Sequence, residues 1–541
     1  MADERDQAGG AADEDLSRSA AGDRNPWLVA VVISIATFMQ VLDTSIANVA
    51  LRNIAGSLAA GVDESTWVVT SYLVASAVIL PISGWLSGVI GRKRFYMLCV
   101  ATFTVASMLC AFAPNLGVLI VFRVLQGLGG GGMAPSEQAM LADTFPARLR
   151  AQAFALYGIA VIVAPTVGPT IGGWLTDNYS WHWIFLINGP IGILSLVLVS
   201  WLVTEPEILE RERRERLAHG LRVDWIGFAL VALWLGCLEV VLDKGEREDW
   251  FSSGFIITFF TLSMVGFALF LPWELSRDDP IVDVRLFFRR QFATANLMML
   301  ALGAILFGTT QLIPQLLQIS FGYTATLSGL ALMLGGVAML VMMPVVGFLS
   351  NYIAPKYMIG IGMASVAVSM WHMMSLTADA DFSWFAWARV YQTVGLPFLF
   401  IPITSAAYTG LPPGKSGEAS SLINVSRNLG GSVGVSIAGT VLAQATQVHQ
   451  AYLTDNLVPS SPAYQAAVQH ATALLGSQGV PQSAAASQAL GLIAQTLQKQ
   501  ATMLAYIDVF WGYALLAAVL VPVAFFLLRP AKGEEAPVAA H

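Results

Sequence analysis

Charge is what this chain has least of. Asp, Glu, Lys and Arg make up 12% of its 541 residues, against about a quarter in soluble domains. That scarcity excludes an ordinary water-soluble fold. Cysteine is nearly absent: Cys99, Cys110 and Cys237 all fall within apolar runs, with neither metal-ligand nor disulfide spacing, and they read as small core residues. There is no basic surplus. The net charge of −7 leaves no footprint for nucleic acid. No Gly-x-x-x-x-Gly-Lys-Ser/Thr phosphate loop occurs, which disfavours nucleotide-driven work. The first 25 residues lack the basic and apolar regions of a signal peptide, being polar, acidic and Ala/Gly-rich; we read them as a disordered cytoplasmic tail. We expect no cofactor, no metal site and no enzymatic chemistry.

What is there is hydrophobic surface, 56% of the chain. Runs of about 20 apolar residues, each enough to cross a bilayer, recur fourteen times: 27–48, 65–90, 95–112, 117–142, 151–175, 182–203, 224–242, 252–274, 292–318, 326–350, 357–376, 383–410, 418–445 and 503–528. With the N-terminus inside, 21 of the 28 Lys and Arg fall on the cytoplasmic side, Arg529 and Lys532 among them. Four lie outside (Arg52, Lys244, Arg247, Lys499) and three within spans (Arg123, Arg389, Arg427). The positive-inside bias therefore places both termini in the cytoplasm.

The expected class is an all-α polytopic membrane protein of two six-helix bundles with two inserted helices, surrounded by membrane lipids. Its expected parts are a tail (1–25), a first bundle (26–203), a charged helical linker (204–223), an inserted pair (224–274), a cytoplasmic loop (275–290), a second bundle (291–529) and a tail (530–541). Within the second bundle, 446–502 reads as an outer helical hairpin, with Ala/Gln/Leu-rich stretches at 463–475 and 484–502. It is either a structural cap or a docking surface for a partner.

The two bundles follow from an internal repeat. G-W-L-S-G-V-I-G-R-K (84–93) matches G-F-L-S-N-Y-I-A-P-K (347–356), offset by 263; R-V-L-Q-G-L-G (123–129) matches R-V-Y-Q-T-V-G (389–395), offset by 266. A-F-A-L-Y-G…T-V-G-P-T-I-G-G (153–173) matches A-S-S-L-I-N…S-V-G-V-S-I-A-G (419–439), again by 266. Span 1 then pairs with span 9, 4 with 12 and 5 with 13, leaving spans 7 and 8 between two equivalent halves. Halves in the same orientation imply a two-fold axis along the membrane normal with a cavity between them, the plan of an alternating-access transporter.

These residues resemble the major facilitator superfamily, specifically its fourteen-span drug:proton antiporters of the EmrB/QacA type, over nearly the whole chain. L-D-T-S-I-A-N-V-A-L (42–51) is similar to the first-span signature, R-V-L-Q-G-L-G-G-G (123–131) to the fourth-span motif, and W-H-W-I-F-L-I-N (181–188) to the start of span 6. G-I-A-V-I-V-A-P-T-V-G-P-T-I-G-G (158–173) is similar to the fifth-span motif that separates exporters from importers. G-W-L-S-G-V-I-G-R-K-R (84–94) resembles the loop motif between spans 2 and 3, but departs at its centre: Gly88-Val89 stand where the family has Asp-Arg. The carboxylate latch of that motif is not carried over. The resemblance implies an inner-membrane pump that exports amphipathic, hydrophobic drugs against protons, working with a periplasmic adaptor (EmrA-like) and an outer-membrane channel (TolC-like). Export of a native fatty acid, lipid or other amphiphile is the rival reading. Cationic substrates would implicate Glu137; anionic ones would need Arg123, Arg389 or Arg427. A transport-dead sensor or assembly subunit is disfavoured, because buried ionisable groups are costly to keep without a role.

Charges inside spans mark function or helix pairing. Asp43 in span 1 and Arg123 in span 4 lie at about 8 and 9 Å depth at roughly 1.5 Å per residue, so they are expected to pair. The pair either carries a proton or statically fixes two helices. Glu137 follows Arg123 by fourteen residues, nearly four turns, on a face shared with Gln126, Gly127, Gly130 and Ala134. It is a second proton carrier, a cation attractor, or a helix-end carboxylate. With the 266 offset Asp43 maps to Thr309 and Glu137 to Ile403. The acids are therefore additions to the first half, whereas Arg123 recurs as Arg389. Gln40, Asn48, Gln311, Gln315, Asn424 and Arg427 are candidate substrate contacts. Met298, Met299, Met339, Met342 and Met343 form either an adaptable drug surface or plain core. Gly158, Pro165, Gly168, Pro169, Gly172 and Gly173 are expected to make span 5 a bent, tightly packed gate. Glu239 and Asp243 of span 7 lie in the inserted pair and are expected to be peripheral to transport.

Overall fold

The structure, a computed structural model, describes residues 25–205, 207–218, 223–412, 414–455 and 457–527. The expected tails (except Asn25), with Arg529 and Lys532, lie outside the described residues. Fourteen helices among the described residues are long and apolar enough to cross a membrane. In order they are Pro26–Ser57, Trp67–Ile90, Arg92–Ala111, Leu116–Thr144, Ala147–Asn178, Trp183–Leu202, Trp225–Lys244, Gly254–Ser276, Arg290–Ser320, Ala325–Leu349, Pro355–Met374, Phe382–Tyr408, Ser416–Asp455 and Gln482–Leu527. They are called spans 1 to 14.

Local chemistry sets where several begin. The Asn25 side chain accepts from Trp27 N with Pro26 in the first turn, and Asn115, Thr324 and Asp381 cap spans 4, 10 and 12 in the same way. Packing repeats between the halves. Spans 2 and 3 pack on 4 as 10 and 11 pack on 12; span 1 packs on 5 as 9 packs on 13; span 3 packs on 6 as 11 packs on 14. The halves meet along two seams, 2 against 13 and 5 against 10, which the same two-fold exchanges. The fold is thus two pseudo-symmetric six-helix bundles with spans 7 and 8 inserted.

The glycine run of span 4 is what lets its neighbours close. A Cβ on Gly127 would meet Tyr72 O at 2.5 Å and one on Gly131 would meet Ser76 O at 2.6 Å, both in span 2. On the other side, a Cβ on Gly129 would meet Phe103 N at 2.6 Å in span 3. Backbone-to-backbone approach of this kind replaces the hydrophobic drive that lipid removes.

One feature differs from the sequence reading. The stretch at 484–502 is not a separate hairpin arm. It continues without a breaker into span 14, giving one helix of 46 residues, about 69 Å at 1.5 Å per residue and twice the hydrocarbon thickness. Span 13 likewise runs on to Asp455, and a separate helix, Pro462–Ser477, lies against the span 14 extension through Leu475, Ala485 and Ala489. Span 7, which carries Glu239 and Asp243, packs against span 2 of one half and span 13 of the other.

Candidate functional site

Asp43 and Arg123 meet as expected. Arg123 Nη1 lies 2.7 Å from Asp43 Oδ2, both fully buried. The other carboxylate oxygen, Oδ1, accepts from Gln126 Nε2 at 3.0 Å and Asn188 Nδ2 at 2.6 Å. Arg123 also donates to Gln126 Oε1 (2.8 Å) and to the Val68 carbonyl (2.9 Å), and its guanidinium lies 4.4 Å from the Tyr72 ring centroid. Gln40 Nε2 donates to that tyrosine's hydroxyl at 3.0 Å. The carboxylate therefore ties spans 1, 4 and 6 together, and the guanidinium adds span 2. Protonating it would remove the Coulomb attraction to Arg123 at its centre.

Glu137 has the opposite environment. It is 0% exposed, accepts from Ser34 Oγ at 2.5 Å on Oε1, and has no hydrogen-bond partner on Oε2. No cation lies within ion-pair distance of it among the described residues. Both acids thus lie at the contact of spans 1 and 4, Asp43 paired with a cation and Glu137 not. The next residue, Gln138, reaches across to the second half: its Oε1 accepts from Asn424 Nδ2 at 2.7 Å. Tyr157 of span 5 donates to Asn424 Oδ1 at 2.9 Å and accepts from Arg427 Nη1 at 3.0 Å. Phe400 stacks on the Tyr157 ring at 5.9 Å, and Met343 packs against Gly158. A polar layer, Gln138–Asn424–Tyr157–Arg427, therefore bridges the halves directly beside Glu137.

The span 5 motif holds both this layer and span 1. Pro169 has no N–H to offer the Pro165 carbonyl one turn earlier. Ser45 of span 1 supplies the missing donor, Ser45 Oγ to Pro165 O at 3.1 Å. A Cβ on Gly168 would meet Ser45 Cβ at 2.5 Å, and one on Gly172 would meet Ile46 Cγ2 at 2.9 Å; Gly173 is buried alongside. The opposite face of span 5 packs on Gly329, Gly336, Met343 and Gly347 of span 10.

The other seam is built without the missing motif carboxylate. Arg92 pairs with Asp143, and its Nη2 donates to Ser416 Oγ at 2.9 Å; Ser416 donates to Asp143 Oδ1 at 2.8 Å. Ser83 and Ser421 hydroxyls meet at 2.9 Å, and a Cβ on Gly84 would meet Gly417 O at 2.7 Å. Gly88 thus stands beside a junction that spans 2, 3, 4 and 13 make by other means. Farther along, span 7 fills the gap. Glu239 Oε1 accepts from Ser432 Oγ of span 13 at 2.7 Å, Asp243 accepts from Thr70 of span 2, and Trp250 Nε1 donates to Thr440 at 2.9 Å.

Of the candidate substrate contacts, Asn424 and Arg427 lie in the bridging layer and Gln40 borders the Asp43 cluster. Asn48 is exposed and bonds back to Thr44 O of its own helix at 3.4 Å. Gln311 is exposed and Gln315 half-buried, outside that layer. Met298, Met299, Met339 and Met343 are all buried core. Ser34, Gln138, Tyr157 and Asn188 were not singled out as site residues. Only Asn188 carried a signal, as the last residue of the motif at 181–188.

The comparisons with known proteins agree with this architecture. The model of the Major Facilitator Superfamily matches residues 33–435. The multidrug export protein EmrB of Escherichia coli (strain K12) is 36% identical over 93% of this chain and 95% of its own. The fatty acid resistance protein FarB of Neisseria gonorrhoeae is 35% identical over 93% of this chain and 96% of its own. Among solved structures, the proton:xylose symporter XylE superposes with a TM-score of 0.57 at 12% identity, covering 92% of this chain and 96% of that one, a likeness of fold. The chain belongs to the major facilitator superfamily, as a multi-pass membrane transporter rather than an enzyme, among its EmrB-like multidrug permeases.

Proposed function

We propose that this protein exports hydrophobic and amphipathic compounds from the cytoplasm in exchange for protons, by alternating access, in the inner membrane with both termini cytoplasmic. The observation that carries the reading is the presence of two unlike acids at the contact of spans 1 and 4: Asp43 held by Arg123, and Glu137 with a bare Oε2 beside the layer that joins the halves. A buried charge without a partner is expensive in a membrane, and one proton on Glu137 removes it. Protons entering from outside neutralise Glu137 or Asp43 and favour outward release of substrate; loss of the proton to the cytoplasm resets the exporter. Span 5, clamped to span 1 at Gly168 and to span 10 at Gly158, limits leak between the halves. The helix Pro462–Ser477 and the extensions of spans 13 and 14 form the surface on which a periplasmic adaptor would seat, with an outer-membrane channel beyond it. The experiment is ethidium uptake into inside-out proteoliposomes under an imposed pH gradient. Uptake that collapses with nigericin supports antiport; uptake indifferent to the gradient refutes it.

A second reading, export of a fatty acid or similar anionic amphiphile, is favoured by one observation: among the described residues, the Arg427 guanidinium in the bridging layer has only a tyrosine hydroxyl as hydrogen-bond partner and an unbonded Nε. The similarity to FarB points the same way. Competition of decanoate with ethidium in the same assay separates the two.

A further inference from the structure

The second half repeats the Asp43 cluster, but without its acid. Arg389 stands where Arg123 does, Gln392 where Gln126 does, and Thr309 where Asp43 does. The bonds correspond one for one. Arg389 Nη1 donates to Gln392 Oε1 at 2.7 Å and to Thr309 Oγ1 at 3.3 Å, and Gln392 Nε2 donates to Thr309 Oγ1 at 2.7 Å. Arg389 Nη2 adds a bond to Thr310 Oγ1 at 2.8 Å. Every acceptor is neutral. Arg389 is 1% exposed, makes no ion pair among the described residues, and its Nε has no acceptor at all. The two threonine hydroxyls spend their own protons on the Ile305 and Leu306 carbonyls.

A guanidinium buried in a span without an ion-pair partner is expensive to keep. The first half shows what completes the same frame of arginine and glutamine: one carboxylate. We infer that the Arg389–Gln392–Thr309 frame is a binding site for a single monovalent anion, either a halide ion or the carboxylate head of an amphiphile. It lies in the second half, away from the layer that bridges the halves. The open side is at Thr310, which is half-buried and is followed by exposed Gln311. Arg389 supplies the charge and the free Nε donor, and Gln392 the second donor, as Gln126 does for Asp43. The threonine oxygen stands one bond closer to its backbone than a carboxylate oxygen of Asp43 does, so it reaches less far toward the arginine, 3.3 Å against 2.7 Å.

The inference goes beyond the export reading and is tested without transport. Purified full-length protein is melted in sodium gluconate with increasing sodium chloride at constant ionic strength, and separately with decanoate. Wild type is expected to show a saturable rise in Tm with chloride, with decanoate, or with both; chloride alone identifies a halide site, decanoate alone a headgroup site. Thr309→Asp and Gln392→Glu each place a resident carboxylate on Arg389, so both are expected to lose the response entirely. Two variants guard against one failing to fold. The inference is overturned if neither anion shifts wild type, or if a folded variant shifts as much as wild type does.

Discussion

Replacing Asp43 with threonine would rebuild, in the first half, the arrangement the second half already has around Arg389. The cost can be worked from the contacts. Arg123 loses a carboxylate at 2.7 Å, and removing one partner of a buried pair costs about 3–5 kcal/mol. Some acceptors remain: Gln126 Oε1 at 2.8 Å, the Val68 carbonyl at 2.9 Å and the Tyr72 ring at 4.4 Å. A threonine hydroxyl can also accept from Gln126, as Thr309 does from Gln392. Asn188 Nδ2 keeps Ser107 Oγ at 3.0 Å. These retained partners place the loss near the lower bound, about 3 kcal/mol. The Asp43→Thr protein is therefore expected to insert and fold, to melt lower than wild type, and to lose drug resistance, because the carboxylate no longer ties spans 1, 4 and 6. Adding Arg123→Gln removes the stranded charge and should recover stability but not resistance. The assays are thermal melting of purified protein and drug resistance of cells at matched expression. If Asp43→Thr confers full resistance, or if the double variant melts no higher than the single, the pair is not what this reasoning takes it to be.

Three further outcomes follow from other contacts. Gly168→Leu drives a side chain into Ser45, where even a Cβ would come within 2.5 Å; efflux should fall to background or lose its coupling, and normal efflux at normal expression would count against a gating role. Tyr157→Phe removes the hydroxyl shared by Asn424 and Arg427 and strands buried polar groups at about 1–3 kcal/mol. It should weaken substrate affinity by roughly tenfold or more, read from the concentration dependence of uptake, with coupling intact. Deleting 446–502 should leave vesicle transport in place and abolish cellular resistance, if this surface seats an adaptor; loss of both would make it a structural cap.

Much of the fold was legible because a bilayer makes few demands and makes them repeatedly. Apolar length gave fourteen spans, and the 266-residue offset paired Arg123 with Arg389 and Asp43 with Thr309, the same residues the structure superimposes chemically. Depth along a helix can be counted, so Asp43 and Arg123 could be matched from opposite ends of two spans. Rotation about the helix and the choice of crossing partner cannot be counted. Gln138 and Tyr157 went unnoticed for that reason: each is an unremarked polar residue in its own helix and becomes part of a layer only when span 13 crosses it. The partners of Glu239 and Asp243 were not legible because spans 7 and 8 fall outside the repeat; in the fold span 7 lies in the seam and bonds to both halves. The hairpin arm at 484–502 was separated from span 14 on hydropathy, while backbone hydrogen bonding carries one helix through both.

The central claim is that Glu137, unpaired beside the bridging layer, takes up and releases the transported proton. Drug-induced proton release from proteoliposomes, read with an internal pH dye, tests it most directly when wild type is compared with Glu137→Gln. The glutamine keeps the Ser34 contact, since its carbonyl oxygen can accept where Oε1 now does at 2.5 Å, and it cannot carry a proton. The account predicts substrate binding near the wild-type level with no drug-induced proton signal. A Glu137→Gln protein that releases protons as wild type does would contradict it.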